Sequence, residues 1–219
     1  CIFTTLIIEI NVRMEPNIEL DLAWKFVEST GTSLFLTGKA GTGKTTFLHK
    51  LQNESSKRMV VLAPTGIAAM NAGGITLHSF FQLPFAPYIP ESSFQAEGDI
   101  SYYYRFSKEK IRIMSSIDLL VIDEISMVRA DVLDAVDAVL RRYRRNSLPF
   151  GGVQLLLIGD LQQLAPVVKD EDWKLLSRYY QTPYFFSSKA LQDTLYFTIE
   201  LTTVYRQKDD RFLRMLNSI

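Results

Sequence analysis

A glycine-rich run, GKAGTGKTT at 38–46, holds the first residues whose types and spacing could do chemistry. Its G-x-x-x-x-G-K-T spacing lets the backbone N–H groups of Gly38, Lys39, Ala40, Gly41, Thr42 and Gly43 turn inward and cradle phosphate oxygens at a helix N-terminus. Lys44 can reach the β and γ phosphates, the Thr45 hydroxyl can hold Mg²⁺, and Thr46 closes the run. The bare alternative is a tight glycine turn, which would not require the lysine and threonine. A phosphate cradle also needs a carboxylate for the metal and a group that activates or orients water. IDLLVIDEISM at 117–127 offers both: Asp123 as metal partner and Glu124 as base. The same pair could merely cap a turn; a phosphate loop in the same chain favours the catalytic reading.

Those residues have to be carried by strands and helices in a definite order. SLFLT at 33–37 reads as a short buried strand before the glycines, and a helix follows from Lys44 with Phe47, Leu48 and Leu51 on its apolar side. Upstream, Ile18, Leu22 and Phe26, with Leu20, Ala23 and Val27, fall at helical spacing, and Gly31 is a natural stop. MVVLAPT at 59–65 predicts a strand, followed by a small-residue helix through Met70. IDLLVID (117–123) and VQLLLIG (153–159) are near-continuous apolar runs, as parallel strands covered on both faces require. Between them residues 131–145 predict a helix with Val132, Leu133, Val136, Val139, Leu140 and Tyr143 on one face. Asp131 and Asp134 lie at its start and Arg141, Arg142, Arg144 and Arg145 at its end, the charge order a helix dipole favours. Alternating strands and helices imply an α/β fold, a doubly wound parallel sheet with helices on both faces. The stretch 83–107, broken by Pro84, Pro87 and Pro90 and crowded with aromatics, predicts an inserted subdomain.

The whole chain bounds the function classes. Its 219 residues suit one large domain. Cys1 is the single cysteine and there are two histidines, which exclude a disulfide scaffold and a His/Cys metal centre. They fit a reducing, cytoplasmic setting. No apolar run approaches the roughly 18 residues of a membrane span. The 24 basic and 24 acidic residues cancel, so a nucleic-acid partner would have to be held by a local groove rather than by bulk charge. Residues 1–13 lack the basic start of a secretory signal and read as a leader upstream of Met14.

Five motifs in order, GKAGTGKTT, APTGIAAMNAGGITLHSFF, DEISM, PFGGVQLLLIGDLQQLAPV and ELTTVYRQKD, resemble the Pif family of superfamily 1B DNA helicases, relatives of the RecD-like helicases. LDAVDAVLRRYRRNSLPFGG at 133–152 is similar to the segment that sets this family apart. The resemblance runs from about residue 30 to the end. It implies a RecA-like P-loop domain that uses ATP and Mg²⁺, with Gln163 sensing the γ-phosphate and Arg206 stabilising transition-state charge. It implies a single-stranded DNA path over Thr65, Gly66, His78, Ser79, Phe80 and Pro166, with Phe80 suited to base stacking. It implies a monomer that translocates 5′-to-3′ and unwinds forked or structured DNA, G-quadruplexes included, in repair, recombination and telomere maintenance. A second RecA-like domain is expected beyond residue 219. Two positions depart from the pattern: Asp21 stands near the adenine-reading glutamine, and Ala165 replaces a proline in the sensor motif. The alternatives are a loader-type P-loop ATPase, which the sensor and VYRQ motifs oppose, and a DNA-binding ATPase without unwinding activity.

Overall fold

Alternate residues of the central strands divide between two cores, which explains why their apolar runs are continuous. The structure, a computed structural model, describes residues 17–89 and 106–205. Among these, β1 (Ser33–Gly38), β2 (Met59–Ala63), β3 (Ile75–Thr76), β4 (Leu119–Ile122), β5 (Gln154–Gly159) and β6 (Tyr196–Leu201) form a six-stranded sheet of order β3-β2-β4-β5-β1-β6. Every pairing is parallel. Leu34, Leu36, Val121, Leu156 and Ile158 pack against α1 (Ile18–Ser29) and α2 (Lys44–Glu54) through Ala23, Val27, Phe47, Leu48 and Leu51. Phe35, Leu62, Leu120, Ile122, Leu155 and Leu157 face the opposite layer. That layer includes α4 (Leu77–Phe81), α5 (Lys108–Ser116), α6 (Ala130–Arg144) and α8 (Lys189–Gln192). The expected doubly wound sheet is therefore present. Two further short helices, α3 (Gly66–Asn71) and α7 (Asp170–Leu176), follow β2 and β5.

Of the two stripes predicted on α1, one is buried at Ala23 and Val27; of the other, Phe26 packs against the core while Ile18 and Leu22 face solvent. Asn17 caps this helix, its Oδ1 accepting the Leu20 N–H at 3.0 Å.

Helix α6 is buried along most of its length, acids included. Asp131 accepts from Arg129 through both carboxylate oxygens and from the Tyr88 N–H at 3.0 Å. Asp134 accepts from the Tyr180 hydroxyl at 2.8 Å, the Ser188 hydroxyl, and the N–H groups of Lys189 and Ala190. Asp137 takes Arg141 and the Phe150 N–H. These acids therefore tie α6 to its neighbours as well as complementing its dipole. The basic end also turns inward in part. Arg141 donates to Ser147 O, and Arg144 to the carbonyls of Gly151, Met114 and Ile117. Arg142 and Arg145 remain exposed. The tight approach of α6 to the 149–152 turn requires a glycine: at Gly151 (φ +61°) a Cβ would stand 2.9 Å from the Leu140 backbone oxygen.

The expected leader at 1–13, most of the 83–107 insertion (90–105) and Arg206 lie outside the described residues. At the near edge of that insertion Leu83 and Phe106 are buried in the core.

Candidate nucleotide site and nucleic-acid face

β1 delivers the phosphate loop at its carboxyl end, between β5 and β6. Gly38 has φ +149°, and a Cβ there would meet the Leu201 carbonyl oxygen of β6 at 2.7 Å; only glycine lets the loop leave this close to the neighbouring strand. Gly43 (φ +97°) then turns the backbone into α2. The buried Thr42 hydroxyl donates to Lys39 O at 2.9 Å and holds the curl. Lys44 Nζ donates to Gly38 O and to Lys39 O (3.0 Å), so its ammonium lies inside the loop. Lys39, Ala40, Thr45 and Thr46 are exposed and Gly41 is half-buried.

Burial lowers the Lys44 pKa, opposed by the charges of Asp160, Glu124 and Asp123. One ammonium thus faces three carboxylates from the ends of two adjacent strands, β4 and β5. Asp123 continues the β4 ladder by one bond, its N–H donating to Leu62 O at 2.8 Å. Glu124 adopts the left-handed conformation (φ 52°, ψ 43°), which costs a residue with a Cβ roughly 1–2 kcal/mol and turns the chain sharply out of the strand. Burial raises the Asp123 carboxyl above its ordinary range, and the Glu124 N–H partly offsets this. Glu124 is raised by burial first and by the Asp123 charge second. A shift in this direction suits a group that accepts a proton.

At the end of β5, Asp160 is buried and holds the sensor candidate: Gln163 Nε2 donates to its Oδ2 and the Gln162 N–H to its Oδ1, both at 2.9 Å. Asp160 was not singled out from the sequence, although a strand-end acid beside a phosphate loop is a usable signal. Thr45 and Asp123 are hard oxygen donors suited to Mg²⁺. Opposite the loop, the Tyr205 N–H donates to Gly41 O at 2.9 Å, and Asn17 Nδ2 donates to the Tyr205 hydroxyl at 2.7 Å. Asp21, near the expected adenine-reading position, is exposed on α1.

The nucleic-acid candidates divide. Thr65 and Gly66 are exposed at the start of α3, where Thr65 Oγ1 accepts the Ala68 N–H at 3.2 Å. His78 is half-buried and Ser79 exposed on α4. Burial first, and then the Arg129 charge, lower the His78 pKa, with the Asp131 charge opposing, which favours the neutral ring. Phe80 departs from the expectation: it is 3% exposed, its ring edge-on to Phe81 in the core, so its face is not open to a base. Pro166 is likewise buried, so its ring is not offered to a strand.

A model of the PIF1-like helicase family matches residues 20–215. The chain belongs to the PIF1-like helicase family. It is 38% identical over 196 residues to the ATP-dependent DNA helicase PIF1 of Saccharomyces cerevisiae, covering 85% of this chain and 21% of that protein. The human PIF1 helicase is 37% identical over 196 residues, covering 86% of this chain and 27% of that protein. The structure of Bacteroides Pif1 bound to ssDNA superposes with TM-score 0.80 and 42% identity, over 94% of this chain and 46% of that one. A structure of two coordinating Pif1 helicases at forked dsDNA gives TM-score 0.83 and 41% identity, over 94% and 48%. The fold is thus that of the P-loop domain of these helicases. The chain spans about a quarter of the length of these curated relatives and about half of the solved chains. No helix among the described residues is long and apolar enough to cross a membrane.

Proposed function

We propose that this chain is the ATP-hydrolysing domain of a DNA helicase that moves 5′-to-3′ along single-stranded DNA and acts on forked or structured DNA. The observation that carries this reading is the meeting of Lys44, Asp123, Glu124 and the Asp160–Gln163 pair at the ends of β1, β4 and β5. Backbone N–H groups of the loop and Lys44 bind the β and γ phosphates of ATP. Thr45 and Asp123 would hold Mg²⁺, which would supply charge neutralisation to the phosphates. Glu124 accepts a proton from the attacking water, and Gln163, oriented by Asp160, donates its amide to a γ-phosphate oxygen. Arg206 is assigned the remaining transition-state charge; it follows Tyr205, whose N–H is on the loop. DNA crosses the exposed ends of α3 and α4 at Thr65, Gly66, His78 and Ser79.

Steady-state ATP hydrolysis with and without single-stranded DNA tests the reading. Turnover that DNA stimulates and that Lys44→Ala abolishes supports it; turnover retained in Lys44→Ala would overturn the site. A strand-displacement assay that separated only 3′-tailed duplexes would overturn the polarity.

A further inference from the structure

Phe85 is 86% exposed, and its ring lies nearly parallel to that of His78, with centroids 5.0 Å apart and planes inclined by 16°. A large apolar side chain left this open normally has loose surroundings, but this one is held on both sides. Before it, Leu83 is buried and its N–H donates to His78 O at 3.1 Å. After it, the Tyr88 N–H is fixed on Asp131, which Arg129 holds through both oxygens. Pro84 and Pro87 flank the apex and restrict its backbone. The Phe85 ring is therefore stacked at an offset against His78 and otherwise presented to solvent on a braced turn.

A cation rests on α4, the helix that carries His78. Lys110 Nζ lies 4.5 Å from the Phe80 ring centroid and 3.4 Å from Ser79 O. Among the described residues no carboxylate is within ion-pair distance of it. An aromatic stacked on His78, and an ammonium resting on the same helix α4 with no carboxylate partner among the described residues, offer what a nucleotide in a single strand needs: a ring for the base and a charge for its phosphate.

We propose that the Phe85–His78 stack is a docking platform for an unpaired base of single-stranded DNA, the stacking role that buried Phe80 cannot fill. The assignment rests on the DNA path proposed above. It moves the stacking contact from α4 to the first turn of the 83–107 insertion, so the path includes that insertion's root.

Fluorescence-polarisation titration of a labelled oligothymidylate over a salt series tests it, comparing the unaltered chain with Phe85→Ala and Phe85→Trp. Phe85→Ala should bind about fivefold to a hundredfold more weakly, the range for loss of one stacked base. The slope of log affinity on log salt should stay the same, because Phe85 neutralises no phosphate. Phe85→Trp should restore binding, and an oligonucleotide of abasic residues should erase the difference between the alanine variant and the unaltered chain. Equal oligothymidylate affinity for Phe85→Ala and the unaltered chain would overturn the platform while leaving the DNA path standing. A loss that Phe85→Trp did not restore, or that persisted on abasic DNA, would also overturn it. Absence of binding by the unaltered chain at low salt would overturn the DNA path itself and this inference with it.

Discussion

Two sets of acidic side chains on neighbouring segments are treated in opposite ways. At the end of β4, Asp123 and Glu124 are partly buried, raised in pKa, and form no ion pair among the described residues. On α6, Asp134 is 6% exposed yet accepts two hydroxyls and two backbone N–H groups. Asp137 lies between: burial pushes its carboxyl up despite Arg141 and the Phe150 N–H. A carboxylate saturated by protein donors holds helices together and has nothing left for a ligand. One that is desolvated and short of donors stores unfavourable energy that Mg²⁺, phosphate-bound water or a proton can relieve.

Substitutions should separate the two sets, the largest effect coming from the cation that faces the first. Lys44→Ala should lower ATP turnover by on the order of a hundred- to a thousandfold while the chain stays folded, read by steady-state hydrolysis and circular dichroism. Next, Asp134→Ala should cost about 3 kcal/mol, because it strands the Tyr180 and Ser188 hydroxyls and two N–H groups in the interior. At this chain length that lowers Tm by about 6–12 °C, measured calorimetrically. A Tm unchanged by Asp134→Ala would remove the distinction between the two sets.

Glu124→Gln should do the reverse, abolishing turnover while raising stability at neutral pH. The sign follows from linkage. The folded-state pKa of Glu124 is raised, so the folded chain holds the proton more tightly than the unfolded one. The unaltered chain therefore loses stability relative to Glu124→Gln as pH climbs from the ordinary 4.5 through the raised value, and the two converge below it. Denaturant titrations at pH 4 and pH 8 measure this, and turnover should fall as pH drops through the same window. The smallest effect belongs to Arg142, at α6's basic end. Arg144→Ala, which frees three carbonyls, should cost about 1–3 kcal/mol, whereas Arg142→Ala should change stability by less than about 0.5 kcal/mol. Chemical denaturation of the pair checks that half of the basic run is internal.

Much of the cleft was legible because its chemistry and its backbone requirements coincide. Glycine at 38 and 43, lysine at 44 and an acid pair after an apolar run each answer a local demand, and local demands leave marks in sequence. The nucleic-acid face was less legible, because there the question is which side of a short helix looks inward. LHSFF places Leu77, Phe80 and Phe81 in the core and His78 and Ser79 outside, an i, i+3, i+4 pattern that was present in the sequence but overridden by motif register. β6 escaped notice because YFTIEL is an edge strand with mixed exposure, lacking the apolar run of its neighbours. The tie from Gln163 to Asp160 spans three residues, yet its use depends on Lys44, brought near only by the β1–β5 pairing.

The bond from the Tyr205 N–H to Gly41 O acts as a zero-slack tether between the loop and the segment that leaves β6. Asn17, through the Tyr205 hydroxyl, adds a second anchor from the start of α1, and the Thr202 hydroxyl bond to Glu19 adds a third. A shift of more than about an ångström at Gly41 must either stretch the main-chain bond past its working length or drag Tyr205 along. Loop, helix end and strand exit therefore form one mechanical linkage, in which a displacement entering at the phosphates leaves through the chain at Tyr205.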